Sequence, residues 1–298
     1  MNLNACPPEL HSYICQLACV DDGITVRALS LVSRYYREIA RPFVYQSVAI
    51  SGTGNVAGLV ERLEATPAHL RHIRHLFIAD QASTKPPNSP KSPCAPETAA
   101  IVRVLSFAAP TVETLSFVWR SPATSTMTIA RLFRLRFPRL RELTVSGFYP
   151  FLTAKTMPSL ERLHLHGNRN PHGLLQMGSL DDACPSLTHL RVSGLSMAVS
   201  FVSELQEAFS SDHTSPFPAT LSSHVQQLIV QPAASLPASG KPGTSYFRDQ
   251  AMMDQLQALK PRKDLSFEVL ERPDGEELYE SFRRDWKARL EGGLGCWL

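Results

Sequence analysis

Leu140-Arg141-Glu142-Leu143-Thr144-Val145-Ser146-Gly147 and Leu160-Glu161-Arg162-Leu163-His164-Leu165-His166-Gly167 are two copies of one phrase. Leu187-Thr188-His189-Leu190-Arg191-Val192-Ser193-Gly194 is a third. Each reads apolar-x-x-Leu-x-apolar, then a polar residue and glycine, with a proline two places upstream (Pro138, Pro158, Pro185). The six-residue core returns at 73–78, 112–117 and 225–230. Leucine at alternate positions buries one face of a strand and shows the other. One such strand cannot cover its own apolar face, so the copies must lie side by side.

The phrase is the strand half of a leucine-rich repeat. It predicts an α/β fold: an irregular leucine-rich-repeat solenoid over 46–271. Helical spacing at 126–137 (Ile129, Leu132, Phe133, Leu135) and 199–209 (Val202, Leu205, Phe209) supplies candidate outer helices. Upstream, Val44, Gln46, Val48 and Ile50 form a short strand-like run closed by Ser51-Gly52. Downstream, Leu265, Phe267 and Val269 alternate as a last strand. Residues 274–291 then read as an amphipathic helix with Leu278, Phe282, Trp286 and Leu290 on one stripe, stopped by Gly292-Gly293. With its tail (272–298) it is expected to cap the open end of the stack. Stretches near 81–98 and 231–245, rich in Pro, Ala, Ser and Gly, read as surface loops. Ser89-Pro90 and Ser92-Pro93 are candidate modification sites in the first of these.

Residues 1–45 differ in texture. Pro7-Pro8-Glu9-Leu10 suits a helix start, because proline is tolerated in the first turn and an acid there suits the dipole. Leu10, Ile14, Leu17 and Ala18 follow at helical spacing, and Asp21-Asp22-Gly23 breaks the run. Thr25 is a candidate N-cap of a second helix carrying Ala28, Leu29, Val32, Tyr36 and Ile39, which ends before Pro42.

This head resembles an F-box: Pro7-Pro8-Glu9-Leu10, Ile14 and Leu17 on the next turns, then Leu29-Ser30-Leu31-Val32-Ser33-Arg34-Tyr35-Tyr36. Cys6 and Tyr36 stand where members of that family often carry Leu and Trp. With the continuation Arg41-Pro42-Phe43-Val44-Tyr45-Gln46-Ser47-Val48, the chain is similar to the F-box-like proteins multiplied in mushroom-forming fungi, which join this module to degenerate leucine-rich repeats. The resemblance implies a substrate-recognition adaptor of a cullin-type (SCF) ubiquitin ligase. The Skp-type adaptor would dock on Pro7, Pro8, Glu9, Leu10, Ile14, Leu17, Leu29, Val32, Ser33 and Tyr36. A head this short also carries more apolar surface than it can bury within itself, which calls for a partner.

The target protein is expected on the strand residues between the buried leucines: Glu142 and Thr144, then Arg162, His164 and His166, then His189 and Arg191. That strip is basic and histidine-rich, which suits an acidic or phosphorylated target. A free-standing repeat scaffold without a ligase link is the alternative. A remote one is a dinucleotide-binding enzyme. Gly52-Thr53-Gly54-Asn55-Val56-Ala57-Gly58 leaves a strand, and Asp80 follows the next, in the layout of a dinucleotide fingerprint. The glycine spacing is off by one.

Other enzyme signals fall short. His11, Cys15 and Cys19 lie four apart, but three ligands on one straight helix span about 12 Å, too far for one ion. His164-x-His166 lacks an accompanying carboxylate signature, and Gly194-Leu195-Ser196-Met197-Ala198 has Ala in place of the second glycine of a nucleophile elbow. No enzyme activity, cofactor or metal is expected. A net charge of +3, from 30 cations against 27 anions, lacks the basic footprint of a nucleic-acid binder. Six scattered cysteines, no signal-peptide pattern and no long apolar run point to the cytosol or nucleus, with no membrane partner.

Overall fold

The repeated phrases form strands, as their alternation requires. In the computed structural model, which describes residues 6–80, 95–119, 122–152, 155–176, 180–210, 218–234, 243–273 and 278–297, they are β2 (His75–Ala79), β3 (Thr114–Val118), β4 (Glu142–Ser146), β5 (Arg162–His166), β6 (His189–Leu195) and β7 (Gln227–Pro232). β1 (Ser47–Ser51) precedes them and β8 (Ser266–Val269) follows. The eight strands make one sheet in chain order, and the registers of β1 to β3 and of β4 to β8 are parallel. In each phrase the second and third apolar positions are buried, as in Leu143 and Val145, Leu163 and Leu165, Leu190 and Val192.

Among the described residues, ten helices accompany the sheet: α1 (Pro8–Ala18), α2 (Ile24–Val32), α3 (Arg34–Ala40), α4 (Thr53–Ala65), α5 (Ala95–Ala108), α6 (Pro122–Arg134), α7 (Leu180–Ala183), α8 (Val199–Phe209), α9 (Thr244–Ala258) and α10 (Leu278–Leu290). The chain divides into two compact units, 1–118 with 277–298, and 119–276.

The expectation of a helical head, a repeat solenoid and a terminal cap is therefore corrected. The chain builds a single eight-stranded all-parallel sheet with helices, an α/β arrangement, and not a helical module followed by leucine-rich repeats. The phrase encodes a buried parallel strand but not what joins it to the next. Successive phrases start 20 to 39 residues apart, and their crossovers range from whole helices to stretches without one, so no unit recurs.

The C-terminal helix is also misplaced by the sequence reading. Its predicted stripe exists, but it does not close the last strand. α10 lies in the first unit, with Tyr279, Phe282 and Trp286 packed against Phe77, Ala79 and Val118, and with Leu278 and Leu290 at the margin. Phe77 meets Tyr279 edge-on at 5.7 Å and Trp286 at 5.6 Å. The Tyr279 and Ser51 hydroxyls are hydrogen-bonded, and Arg283 reaches Asp22 at 3.9 Å. The face of β2 and β3 opposite their leucines thus carries Phe77, Ala79 and Val118, which a helix covers.

In the second unit, α6 and α8 bury Ile129, Leu132 and Phe133, then Val202 and Leu205, as expected, while Leu135, past the end of α6, and Phe209 are only half-buried. The buried carboxylate of Glu204 on α8 accepts from the Gly173 and Leu175 amides and from His172 Nδ1. It thereby fixes the chain after β5 onto α8. Of the two expected loops, 81–94 and 235–242 lie outside the described residues, Ser89-Pro90 and Ser92-Pro93 with them, as do 274–277 of the expected C-terminal helix.

Candidate functional site

α1 has two apolar stripes. His11, Cys15 and, just past the helix, Cys19 point inward and are buried. With Val26 and Ala40 they form a small core, edged by Leu29, Ile39 and Phe43. The other stripe is Leu10, Tyr13, Ile14 and Leu17, at i, i+3, i+4 and i+7, each 51% to 61% exposed. A single exposed leucine is ordinary, but a stripe of four on one helix face is a docking signature.

The helix starts where the sequence places it. Pro7 precedes its first turn, and the Leu10 and His11 amides donate to Pro7 O at 3.1 and 3.3 Å. The N-cap of α2 is Gly23 rather than Thr25, and Asp21 ties down the first turn. The Asp21 carboxylate accepts from the Thr25 amide (3.1 and 3.0 Å) and from its hydroxyl (2.6 Å). The expected single second helix is split at Ser33, which is extended and whose hydroxyl accepts from the Tyr36 amide to cap α3. His11, Tyr35 and Tyr36 stack edge-on at 5.4 to 5.6 Å, and His11 Nδ1 bonds the Tyr35 hydroxyl at 2.8 Å. Gln46 joins the head to β1, donating to the carbonyls of Gln16 (2.6 Å) and Cys19 (3.3 Å).

Of the predicted docking residues, Pro7, Pro8, Glu9, Leu10, Ile14, Leu17, Val32 and Ser33 are exposed, while Leu29 and Tyr36 are half-buried. Sequence reasoning missed Tyr13, Ile24, Leu31 and Tyr35, exposed by 57%, 63%, 82% and 45%. Tyr13 was within reach, since it stands three residues after Leu10 on the same face. Burial pushes the Cys15 thiol up, and burial with Cys15 and Asp21 nearby takes Cys19 to about 11.

The predicted target strip is a different matter. Its residues were expected on a solvated face, and most are covered. Glu142, Thr144 and His164 are buried, and Arg162, His166, His189 and Arg191 are half-buried. Strands lie about 4.8 Å apart, so Thr144, His164 and Arg191, in register across β4, β5 and β6, shield one another. The Ser193 hydroxyl bridges His164 Nε2 (2.7 Å) and His166 Nδ1 (3.0 Å), and Arg191 donates to Gln231 at 2.7 Å. The strip is thus less open than its alternation suggests, with Arg162, His166, His189 and Arg191 keeping part of their surface exposed.

Its histidines give a pH prediction. Burial, with Arg191 beside it, holds His166 at about 4, and burial with Arg191 and His166 nearby holds His164 well below 6.5. Burial and Arg74 likewise hold His75 at about 4. A depressed folded pKa means that stability is complete above about 6.5 and is lost as pH falls towards 4. The unfolding free energy from urea denaturation is expected to drop between pH 7 and pH 5, by on the order of 1–2 kcal/mol per histidine.

The glycine stretch after β1 does enter a helix, with Gly52 at φ +82 between β1 and α4. The strand order never reverses among the described strands, so the crevice where doubly wound sheets hold dinucleotides has no counterpart. Among the described residues no three His, Cys, Asp or Glu side chains could together hold a metal ion, and no helix is long and apolar enough to cross a membrane. No family model and no curated protein matches the chain.

Proposed function

We propose that this chain is a substrate-recognition adaptor of a cullin-type ubiquitin ligase, docking to the Skp-type adaptor through α1 to α3 while the α/β body engages a target. The observation that carries this reading is the outward stripe of α1. Its inward side already fills the head's small core, so Leu10, Tyr13, Ile14 and Leu17 form a second apolar face. The resemblance of these helices to an F-box agrees with that use. Helix-face docking into an apolar groove is the physical mode, and burying the exposed half of each side chain contributes about 1 kcal/mol.

The test is co-purification with a purified Skp-type adaptor. The double variant Leu10→Glu, Leu17→Glu places two charges where the complex is dry, and is expected to weaken binding at least 100-fold, a loss of about 3 kcal/mol. Because both side chains are exposed, the melting temperature of the free chain should stay within about 1 °C. Equal capture of variant and wild type, or no capture of wild type, would end the proposal.

A further inference from the structure

Residues 131–141, in the second unit, read Arg-Leu-Phe-Arg-Leu-Arg-Phe-Pro-Arg-Leu-Arg. They span the last turn of α6 and the connector into β4. Leu132, Phe133, Phe137 and Leu140 are buried, while Arg131, Arg134, Arg136, Arg139 and Arg141 are all exposed. Backbone bonds hold the connector in place. Leu135 N donates to Leu132 O (3.0 Å), Phe137 N to Thr156 O (2.8 Å), and the Glu161 and Arg162 amides to Arg141 O (2.8 and 2.9 Å). The Ser159 hydroxyl donates to Pro138 O at 2.8 Å. The five guanidiniums therefore hang from a fixed backbone.

Elsewhere exposed or half-buried arginines find acids, as Arg74 does in Glu113 and Arg103 in Glu64. None of these five guanidiniums makes an ion pair, a hydrogen bond or a ring contact among the described residues. Residues 114–160 contain a single acid, Glu142, and it is buried. A cation in the last turn of a helix suits the dipole, which accounts for Arg131 and Arg134. It does not account for Arg136, Arg139 and Arg141, which lie beyond the helix. Like charges with no acid between them repel, so the band does not serve the stability of the fold.

The charge of the band selects its partner. Arginine rather than lysine fills every position, and its planar fork pairs with both oxygens of a carboxylate. Guanidiniums two or three residues apart suit carboxylates that recur about every 7 Å along an extended chain. A polynucleotide or a lipid surface fits less well. Either would also lie over the wider surface, where 27 acids nearly balance 30 cations. The aromatic rings of the segment, Phe133 and Phe137, are buried and do not reach bases to stack on. A short flexible acidic chain meets the arginines alone. We infer that the band at 131–141 binds a segment of a partner protein rich in Asp and Glu, whose carboxylates pair with Arg131, Arg134, Arg136, Arg139 and Arg141. The inference stands apart from the ligase reading and is tested on the full chain alone.

The probe is a fluorescent peptide of alternating Asp and Glu, with an all-lysine peptide of the same length and an oligothymidylate of the same charge as controls. At low salt the acidic peptide should saturate with a Kd on the order of 10–100 μM, and added salt should weaken it. The lysine peptide should not bind, and the oligothymidylate should bind more weakly. Arg136→Gln, Arg139→Gln and Arg141→Gln together should weaken peptide binding at least tenfold. The melting temperature of that variant should hold or rise, because repulsion is relieved. Arg34→Gln, Arg248→Gln and Lys260→Gln together remove the same charge elsewhere and should leave the Kd within about twofold. No saturable binding, equal binding of the lysine peptide, or equal losses in the two triple variants would overturn the inference. Tighter binding of the oligothymidylate would overturn the assignment to a protein segment. A lowered melting temperature in the first variant would overturn it too, by showing that the arginines serve the fold.

Discussion

Gly167→Ala is expected to lower the melting temperature by about 10 °C. Gly167 follows β5 with φ +114, a conformation that L side chains rarely adopt. A Cβ there would sit 2.5 Å from the Gly147 carbonyl oxygen and 2.8 Å from its carbonyl carbon and nitrogen. That neighbour is backbone, and it is held: the Gly147 amide donates to His166 O at 2.9 Å, carrying the ladder one residue beyond the strands. Backbone strain costs about 1–3 kcal/mol, and moving a bonded ladder adds to it, for about 4 kcal/mol in all. At roughly 2–4 °C per kcal/mol this gives the expected shift. Gly58→Ala is the contrast. It sits in a helix with open space at its Cβ, and should gain about 0.5–1 kcal/mol. Equal effects at the two sites would show that the strand exits are not packed as described.

Trp286→Ala is expected to cost about 3–5 kcal/mol, because it empties the centre of the contact between α10 and β2. The ring is 4% exposed, lies on Phe77 and is surrounded by Tyr279, Phe282 and Val118. Its indole nitrogen has no hydrogen-bond partner among the described residues, so Trp286→Phe removes volume but no bond and should cost no more than about 1.5 kcal/mol. Chemical denaturation gives both values. Hydrogen exchange should speed up in β2 and β3 in the alanine variant. A neutral Trp286→Ala would put α10 somewhere other than on Phe77.

That placement marks where sequence reading stops. The strands were legible because leucine alternation has one physical meaning, and the stripe of α10 was legible because its period is helical. What the stripe covers was not, since an amphipathic helix announces a need and not an address. The address was nevertheless written in the strands. Leu76-Phe77-Ile78 is apolar at three consecutive positions, whereas Leu143-Thr144-Val145 and Leu163-His164-Leu165 alternate. Only an apolar second face, such as Phe77 provides, can receive an apolar helix.

The strip at Glu142, Thr144, Arg162, His164, His166, His189 and Arg191 is more covered than alternation suggests, for a related reason. Polar residues at alternate positions look solvated, yet neighbouring parallel strands crowd polar side chains together and bury part of their surface. α9 gave no signal because only Met252 and Leu256 of its fifteen residues are buried, while Tyr246 and Phe247 face outward. The outward side of the head was expected, but what fills its inward side was not. Leu10, Ile14 and Leu17 could have been core, and it is the smaller His11, Cys15 and Cys19 that turn inward. That arrangement leaves the larger side chains exposed.

The most direct measurement is hydrogen exchange on the full chain, alone and mixed with a purified Skp-type adaptor. Slowed exchange confined to 8–40, with α1 protected most, is the predicted result. A mixture in which those amides exchange as fast as in the free chain would contradict the account.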